Sequence, residues 1–145
     1  MSDFVLHPQL AKDTLPIAEW PLSRVLRMND TSYPWLILVP RRVNCREISE
    51  LPSGERHRLI DEIARASEAL QREFRPEKIN VGALGNMVPQ LHIHVIARFT
   101  NDPAWPRPVW GVRPPTLFTV AEAKEEIVRW RHAFNLPAAD EENDQ

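Results

Sequence analysis

The prolines constrain the fold of this chain more than any other feature of its sequence. There are 14 of them in 145 residues, against only 4 glycines. Proline fixes φ and has no backbone N–H, so it stops helices and is kept out of central strands. A chain interrupted this often cannot consist mainly of long helices. The short apolar runs between the prolines predict strands joined by stiff turns.

Four segments have the apolar or alternating patterns that are typical of β-strands. The sequence WLILVPR at 35–41 is a continuous apolar run, which suits a buried central strand that Pro40 ends. The turn-forming sequence NDTSYP at 29–34 joins this run to the preceding strand as an antiparallel hairpin. The other predicted strands are residues 21–28, 78–84 and 90–99.

Two helices are predicted. The first has Ser53 as its N-cap and Glu55 in its first turn, and it stops at Pro76. Its apolar stripe at helical spacing is Leu59, Ile63, Ser67, Leu70 and Phe74. The second helix begins with a capping box of Thr119 and Glu122 and ends at Pro137. Its stripe is Ala123, Ile127, Trp130 or Arg131, and Phe134.

The remaining segments are predicted to be irregular. Residues 1–19 are expected to form a surface arm with a short helical turn around Pro8 to Lys12. Residues 100–115 are rich in proline and contain two tryptophans, which favours an ordered, extended loop. The acidic residues 137–145 are expected to be a disordered tail.

Composition limits the class of protein. A length of 145 residues suits one domain over residues 1–136, with its core at about 20–134. The net charge of −2 gives no large positive field that would attract a nucleic acid polymer or an anionic membrane. The single cysteine, Cys45, excludes an internal disulfide and fits a reducing compartment. No secretion signal or apolar run of about 18 residues is present, so we expect a cytoplasmic protein without a membrane span.

The segment QLHIHVIARF places two of the five histidines one residue apart in a predicted strand. Side chains alternate between faces, so Gln90, His92 and His94 project together, about 6.5 to 7 Å from one to the next. That separation lets two groups contact one phosphate. The preceding Gly85 and Asn86 form a tight loop whose backbone N–H groups can approach an anion closely.

Other interpretations of the pair stay open. The histidines are structural in one of them, and in another the protein binds a nucleotide without converting it. A zinc site would need further ligands from His7, His57, His132 or Cys45, none of which shows ligand spacing to the pair. A nucleophilic role for the cysteine itself is disfavoured, because its local sequence offers no partnering histidine.

Three other side chains near the motif each have a functional and a structural interpretation. Arg98 falls on the same strand face as the histidines, where it binds additional phosphates or is a solvated charge at the strand end. Trp105 and Trp110 in the proline-rich loop wall a base pocket or contact a partner subunit, unless they are simply packing residues.

The motif resembles the signature of the histidine triad (HIT) superfamily of nucleotide hydrolases and transferases. That signature is His-x-His-x-His-x-x with x apolar, and residues 90–96 match it except that Gln90 replaces the first histidine. The order of elements over about residues 20–134 is also similar. The resemblance implies an α+β fold with a five-stranded antiparallel sheet and two main helices. NVGALGN with QLHIHVIAR is most similar to bacterial HIT-family or diadenosine tetraphosphate hydrolase-like proteins.

The resemblance implies a role for each motif residue. His92 would be the nucleophile that attacks the α-phosphorus and forms a nucleotidyl-histidine intermediate. Its other ring nitrogen would donate to the backbone carbonyl of Gln90, so the glutamine is not a sign of an inactive enzyme. His94 would donate to the phosphate oxygens. The side chain of Asn80 and the backbone of Gly85 and Asn86 would bind the same oxygens. Asn29 would bind ribose hydroxyls.

Two departures from the family pattern affect the leaving group. Met87 stands where the family often has a serine or threonine, and Trp35 stands where an additional histidine is often found. Both changes remove groups that would protonate a leaving group. Leaving groups that are already good, such as a polyphosphate, are therefore expected to suffer less than an amine.

Together these features predict a metal-independent nucleotide phosphohydrolase that needs no cofactor. Its expected substrates are dinucleoside polyphosphates or related nucleotidyl anhydrides and esters. A nucleotidyl transferase and a non-catalytic nucleotide-binding protein remain alternatives. The family resemblance and an exposed sheet edge also predict a homodimer.

Overall fold

A computed structural model describes residues 3–138 and contains one antiparallel sheet of five strands. The strands lie in the spatial order β1-β2-β3-β5-β4, and every neighbouring pair is antiparallel. They are β1 (Thr14–Glu19), β2 (Ser23–Met28), β3 (Trp35–Pro40), β4 (Lys78–Gly82) and β5 (Ile93–Arg98). The predicted α+β fold and its five-stranded sheet are confirmed.

The helices are α1 (Pro8–Asp13), α2 (Ser53–Phe74) and α3 (Val120–Ala133), with a short 3-10 turn at Ile48–Glu50. α2 packs against β5 and β3, and α3 packs against β1. The predicted capping box of α3 is present, with both reciprocal bonds between Thr119 and Glu122. The prediction of Ser53 as the N-cap of α2 is wrong by one residue. Pro52 holds that position, since its carbonyl accepts the first helical bonds.

The first strand contradicts the prediction that residues 1–19 form a surface arm. Within that segment α1 confirms the predicted helical turn, but β1 pairs with β2 at the edge of the sheet. Ile17 and Ala18 in β1 belong to the core. The sequence pattern is hidden because Pro16 interrupts it and the register shifts between Pro16 and Ala18. Edge strands tolerate both proline and such a bulge.

Both faces of the sheet are covered. One core lies between the sheet and the helices α2 and α3. The other lies on the opposite face, where the N-terminal segment and the proline-rich loop pack over β2, β3 and β5. All six residues of β3 and of β5 are buried as a result. Among residues 3–138, none of the helices has the length and apolar content needed to cross a bilayer.

A buried ion pair joins the end of β5 to the proline-rich loop. The side chains of Arg98 and Asp102 are 2% and 4% exposed, and Nε and Nη2 of the arginine donate to the carboxylate at 2.7 and 3.0 Å. The carboxylate also accepts the backbone N–H groups of Phe99, Ala104 and Trp105. Burial alone would raise the pKa of Asp102, but the bonds from Arg98 and the backbone lower it to about 2. The loop is therefore ordered, as predicted, but turns and bends occupy most of residues 100–113 where an extended course was expected. The predicted tail is described only as far as residue 138, and residues 139–145 lie outside the described part.

Replacing Asp102 by asparagine should destabilise the fold by about 3–5 kcal/mol, because Arg98 would remain buried without a counter-charge. Chemical denaturation at neutral pH measures this. The matched control is Asp61→Asn on the exposed surface of α2, which should change the free energy of unfolding by less than about 0.5 kcal/mol.

The same carboxyl gives a pH signature. A folded-state pKa near 2 lies below the unfolded value of about 3.9, so this contribution is complete above about pH 4 and is lost as the pH falls to 2. The wild-type protein should lose stability in that interval more steeply than Asp102→Asn. Equal slopes, or equal stability of Asp102→Asn and the control, would contradict the assigned role.

Candidate active site

The two motif histidines lie side by side at the beginning of β5. His94 is the second residue of β5, and His92 is the last residue before this strand. Both residues are only 7% exposed. Their ring centroids are 4.9 Å apart and the rings are nearly perpendicular. The predicted strand 90–99 is thus shorter in the structure, but it still brings the two rings together.

The orientation of the His92 ring is set by its own chain. Nδ1 lies 2.7 Å from the carbonyl oxygen of Gln90. A carbonyl only accepts, so Nδ1 carries the proton of this bond, and Nε2 of the neutral ring holds the lone pair. The contact that the family resemblance implied is present, and it uses the backbone of Gln90.

The side chain of Gln90 has a different function, which the sequence did not reveal. Its Oε1 accepts the backbone N–H of His7 at 2.9 Å, and its Nε2 donates to the carbonyl of Val5 at 2.9 Å. An amide matches a peptide backbone in this way because it offers one acceptor and one donor side by side. The glutamine therefore holds the N-terminal segment against the motif, with Phe4 and Leu6 packed on the second core.

Two indole rings surround the imidazole of His94. Trp35 donates from Nε1 to Nδ1 of His94 at 3.0 Å, and the ring of Trp110 lies 5.3 Å away, edge to face. A Cβ on Gly82 would lie 3.0 Å from Trp110, so the glycine leaves room for this indole. Burial first, and then the repulsion from His92 that arises when its ring is doubly protonated, lower the pKa of His94 to about 3. The ring is uncharged at neutral pH.

The predicted phosphate ligands lie on β4 and the loop that follows it. Gly85 has a φ of +72°, a conformation that glycine adopts without strain, and Asn86 is exposed. The side chain of Asn80 accepts a bond from Nη1 of Arg98 at 2.8 Å through Oδ1. This bond fixes the amide so that its NH₂ group remains available as a donor.

Arg98 itself has protein partners. With bonds to Asp102 and Asn80 and a residue exposure of 2%, it is not the solvated strand-end charge that was one of its two interpretations. The geometry favours a structural role over the predicted contact with additional phosphates. Trp105 lies over the same guanidinium, with 5.8 Å between the ring centroid and Cζ, and this contact favours the packing interpretation of that tryptophan.

Asn29 also has structural partners within the protein. Its Oδ1 accepts the backbone N–H of Phe118 at 2.9 Å, and its own N–H donates to the carbonyl of Asp13. These bonds connect the hairpin turn to the segment that leads into α3 and to the end of α1. The predicted contact of Asn29 with ribose hydroxyls stays a prediction.

A cavity of about 210 Å³ lies beside His92. Gly85 and Gln90 contribute to its wall, together with a segment that sequence analysis had not selected. That segment follows β3 and lines the cavity with Arg46, Glu47, Ile48 and Ser49. No spacing rule marks these residues in the sequence, because only the fold brings this segment to the motif.

The structure bears on two alternatives, a zinc site at the histidine pair and a nucleophilic cysteine. Among residues 3–138, no three histidine, cysteine, aspartate or glutamate side chains are grouped closely enough to hold a metal ion. The histidine pair thus lacks a third ligand from His7, His57, His132 or Cys45 within this part of the chain. Burial raises the pKa of the Cys45 thiol, which disfavours the thiolate that a nucleophile would need.

Comparisons with known proteins agree with this geometry. The model of the HIT domain matches residues 9–101, more than half of the chain. A histidine triad protein from Bradyrhizobium japonicum is 47% identical with a TM-score of 0.85, over 90% of this chain and 97% of that one. A histidine triad protein from Marinobacter aquaeolei VT8 is 46% identical with a TM-score of 0.87, over 91% of this chain and 96% of that one. A histidine triad protein from Sinorhizobium meliloti 1021 is 40% identical with a TM-score of 0.86, over 90% of this chain and 97% of that one.

No match was found among curated proteins. The family model and the three bacterial structures cover the sheet, the motif and most of the remaining chain. Their agreement with the histidine pair and the antiparallel sheet leads to one assignment: this chain belongs to the HIT family.

Proposed function

We propose that this protein cleaves dinucleoside polyphosphates, or related nucleotidyl anhydrides and esters, through a covalent intermediate on His92. Membership in the HIT family supports nucleotide binding and a possible nucleotide-processing activity. The observation that carries the proposal is the 2.7 Å contact between Nδ1 of His92 and the Gln90 carbonyl. It leaves the other ring nitrogen unprotonated, in a side chain beside a cavity.

The proposed reaction has two displacements at one phosphorus atom. Nε2 of His92 forms a bond to the α-phosphorus while the bridging P–O bond breaks, and the electron pair leaves with the departing phosphate. A water oxygen then bonds to phosphorus, the P–N bond breaks, and the electron pair of that bond returns to Nε2 while the attacking water releases a proton to the solvent. Two moderate barriers replace one high barrier. The Gln90 carbonyl stabilises Nδ1–H while the ring of the adduct is positive.

Charge on the phosphate oxygens would be stabilised by donors that the fold already holds in place. The NH₂ group of Asn80, the backbone at Gly85 and Asn86, and the ring of His94 are the proposed donors. Such preorganised donors stabilise developing negative charge without further reorganisation. The uncharged state of His94 means that it would act through a hydrogen bond and not as an acid at neutral pH.

We also propose a homodimer that forms through β4. This strand ends the sheet, so one side of its backbone has no strand partner within residues 3–138. Apolar side chains are exposed on it and on the loop that follows: Val81 at 50%, Leu84 at 43% and Met87 at 93%. An exposed strand edge with apolar side chains favours pairing with a second copy.

Changing the nucleophile gives the first prediction from the proposed function. His92→Ala and His92→Gly should reduce release of nucleoside monophosphate from a dinucleoside polyphosphate below about one thousandth of the wild-type rate. His57→Ala, which alters an exposed histidine of α2, should leave the rate unchanged. Turnover that survives the changes at His92 would contradict the mechanism. Nucleotide binding by the wild type without turnover of any substrate in a broad panel would instead favour a non-catalytic binding protein.

The second prediction concerns the leaving group. A phosphate leaves as a stable anion, whereas an amine must gain a proton, and general acids contribute about 10²–10⁴-fold to such steps. We expect kcat/KM to be about 10²-fold higher for a dinucleoside polyphosphate than for a nucleotidyl amide of the same nucleoside. Met87→Ser should raise turnover of the amide selectively. If the wild-type protein has equal kcat/KM values for the polyphosphate and the amide, this preference is contradicted.

The third prediction tests the assembly. Analytical ultracentrifugation should give about twice the chain mass of 16.8 kDa for the wild type. Val81→Lys should give monomers, because a charge on the strand edge opposes pairing. Val128→Lys on α3, a similarly exposed valine, should remain dimeric. A monomeric wild type would refute the dimer, and a dimeric Val81→Lys would refute this interface.

A further inference from the structure

The first residue of β3 reaches across to the site on β5. In the register of the two strands, Ile37 lies opposite His94 and Trp35 lies opposite Ile96. Trp35 and Ile37 point to the same face because they are two residues apart. The indole therefore crosses diagonally to the imidazole, where its Nε1 donates to Nδ1 of His94 at 3.0 Å. Trp35 is only 5% exposed, so water does not compete freely for this bond.

We propose that Trp35 is a positioning residue that holds His94 as the neutral tautomer with its proton on Nε2. The ring then presents its only N–H to a phosphate oxygen of the substrate. This inference rests on the proposed function, since it assigns the source of the donor in that same site. It gives the tryptophan a role in stabilising the transition state that it fulfils through His94.

The hydrogen-bonding capacity of the two rings determines which tautomer of His94 is stable. An indole N–H only donates, and a neutral imidazole has one donor and one acceptor. With its proton on Nδ1, His94 would place a second N–H against the indole N–H. The doubly protonated ring would do the same and would also carry a buried charge. Trp35 thus disfavours both other states of the ring.

The neighbouring histidine is held in the opposite way. His92 has an acceptor, the Gln90 carbonyl, against Nδ1, whereas His94 has a donor there. The two rings, 4.9 Å apart, thus differ at Nε2, which carries a lone pair in His92 and a proton in His94. One site then contains a nucleophile and a hydrogen-bond donor built from the same residue type.

The chain provides a matched control for the indole. Trp110 also contacts the ring of His94, at 5.3 Å between centroids, but the bond to Nδ1 comes from Trp35. The Nε1 of Trp110 is buried and has no hydrogen-bond partner within the described part of the chain. Trp110→Phe therefore perturbs the same aromatic surroundings and leaves the hydrogen bond to His94 in place.

The direct test is NMR of the ¹⁵N-labelled protein at neutral pH, where long-range ¹H–¹⁵N correlations distinguish protonated from unprotonated imidazole nitrogens. His94 should have its proton on Nε2 in the wild type and in Trp110→Phe. Trp35→Phe should convert a measurable fraction to the Nδ1–H tautomer. A wild-type ring protonated on Nδ1, or an Nε2–H ring that persists fully in Trp35→Phe, would overturn the inference.

A second measurement needs no substitution and decides the matter if Trp35→Phe does not fold. The wild-type protein should show a scalar coupling across the hydrogen bond between Nε1 of Trp35 and Nδ1 of His94. A resolved pair of signals without that coupling would overturn the inference.

Kinetics supply the functional arm. In a folded Trp35→Phe variant we expect kcat to fall about tenfold with little change in KM, because the donor acts mainly on the charge of the transition state. An unchanged kcat would refute the functional part of the inference. A wild type with the expected tautomer but no turnover would count against the proposed function and leave the tautomer assignment supported.

Discussion

The hydrogen bond between the Gln90 carbonyl and Nδ1 of His92 determines which nitrogen of that ring is available for chemistry. The bond depends on the path of the chain just before β5, and that path is held from both sides. The side chain of Gln90 binds the backbone of Val5 and His7. Beyond it, β5 is buried on both faces between the two cores. The reactivity proposed for His92 is therefore a consequence of backbone position.

The substitution of glutamine for histidine at the first motif position illustrates this division. The backbone of Gln90 retains the contact with His92, while its side chain is free to take another role. An imidazole could not reproduce both side-chain bonds of Gln90 to a peptide backbone, because its donor and acceptor lie on opposite sides of the ring. The site thus keeps the orienting carbonyl and gains an anchor for the N-terminal segment.

Sequence reasoning was most successful where the information is local. The alternation in β5, the capping box at Thr119 and the apolar run of β3 each predict their element from neighbouring residues. The first strand was missed because Pro16 and a bulge break the alternation, and only pairing with β2 makes it a strand. Sequence patterns predicted four strands, and the expectation of five strands in the sheet came from family resemblance alone.

Contacts between elements could not be predicted. Trp35 first entered as the loss of a histidine, and only the register of β3 on β5 shows that its indole binds His94. Arg98 was expected to be solvated or to bind phosphate. Its partner Asp102 is only four residues away, but it lies in a loop whose course the sequence pattern does not specify.

The central claim is that His92 becomes covalently bonded to phosphorus, and mass spectrometry tests it most directly. The wild-type protein would be mixed for milliseconds with a dinucleoside polyphosphate, quenched at alkaline pH to protect the P–N bond, and digested. We expect a mass increase of one nucleotidyl group on the peptide that contains His92, and this increase should disappear as product forms. Turnover without such an adduct, or an adduct on any other residue, would contradict the claim.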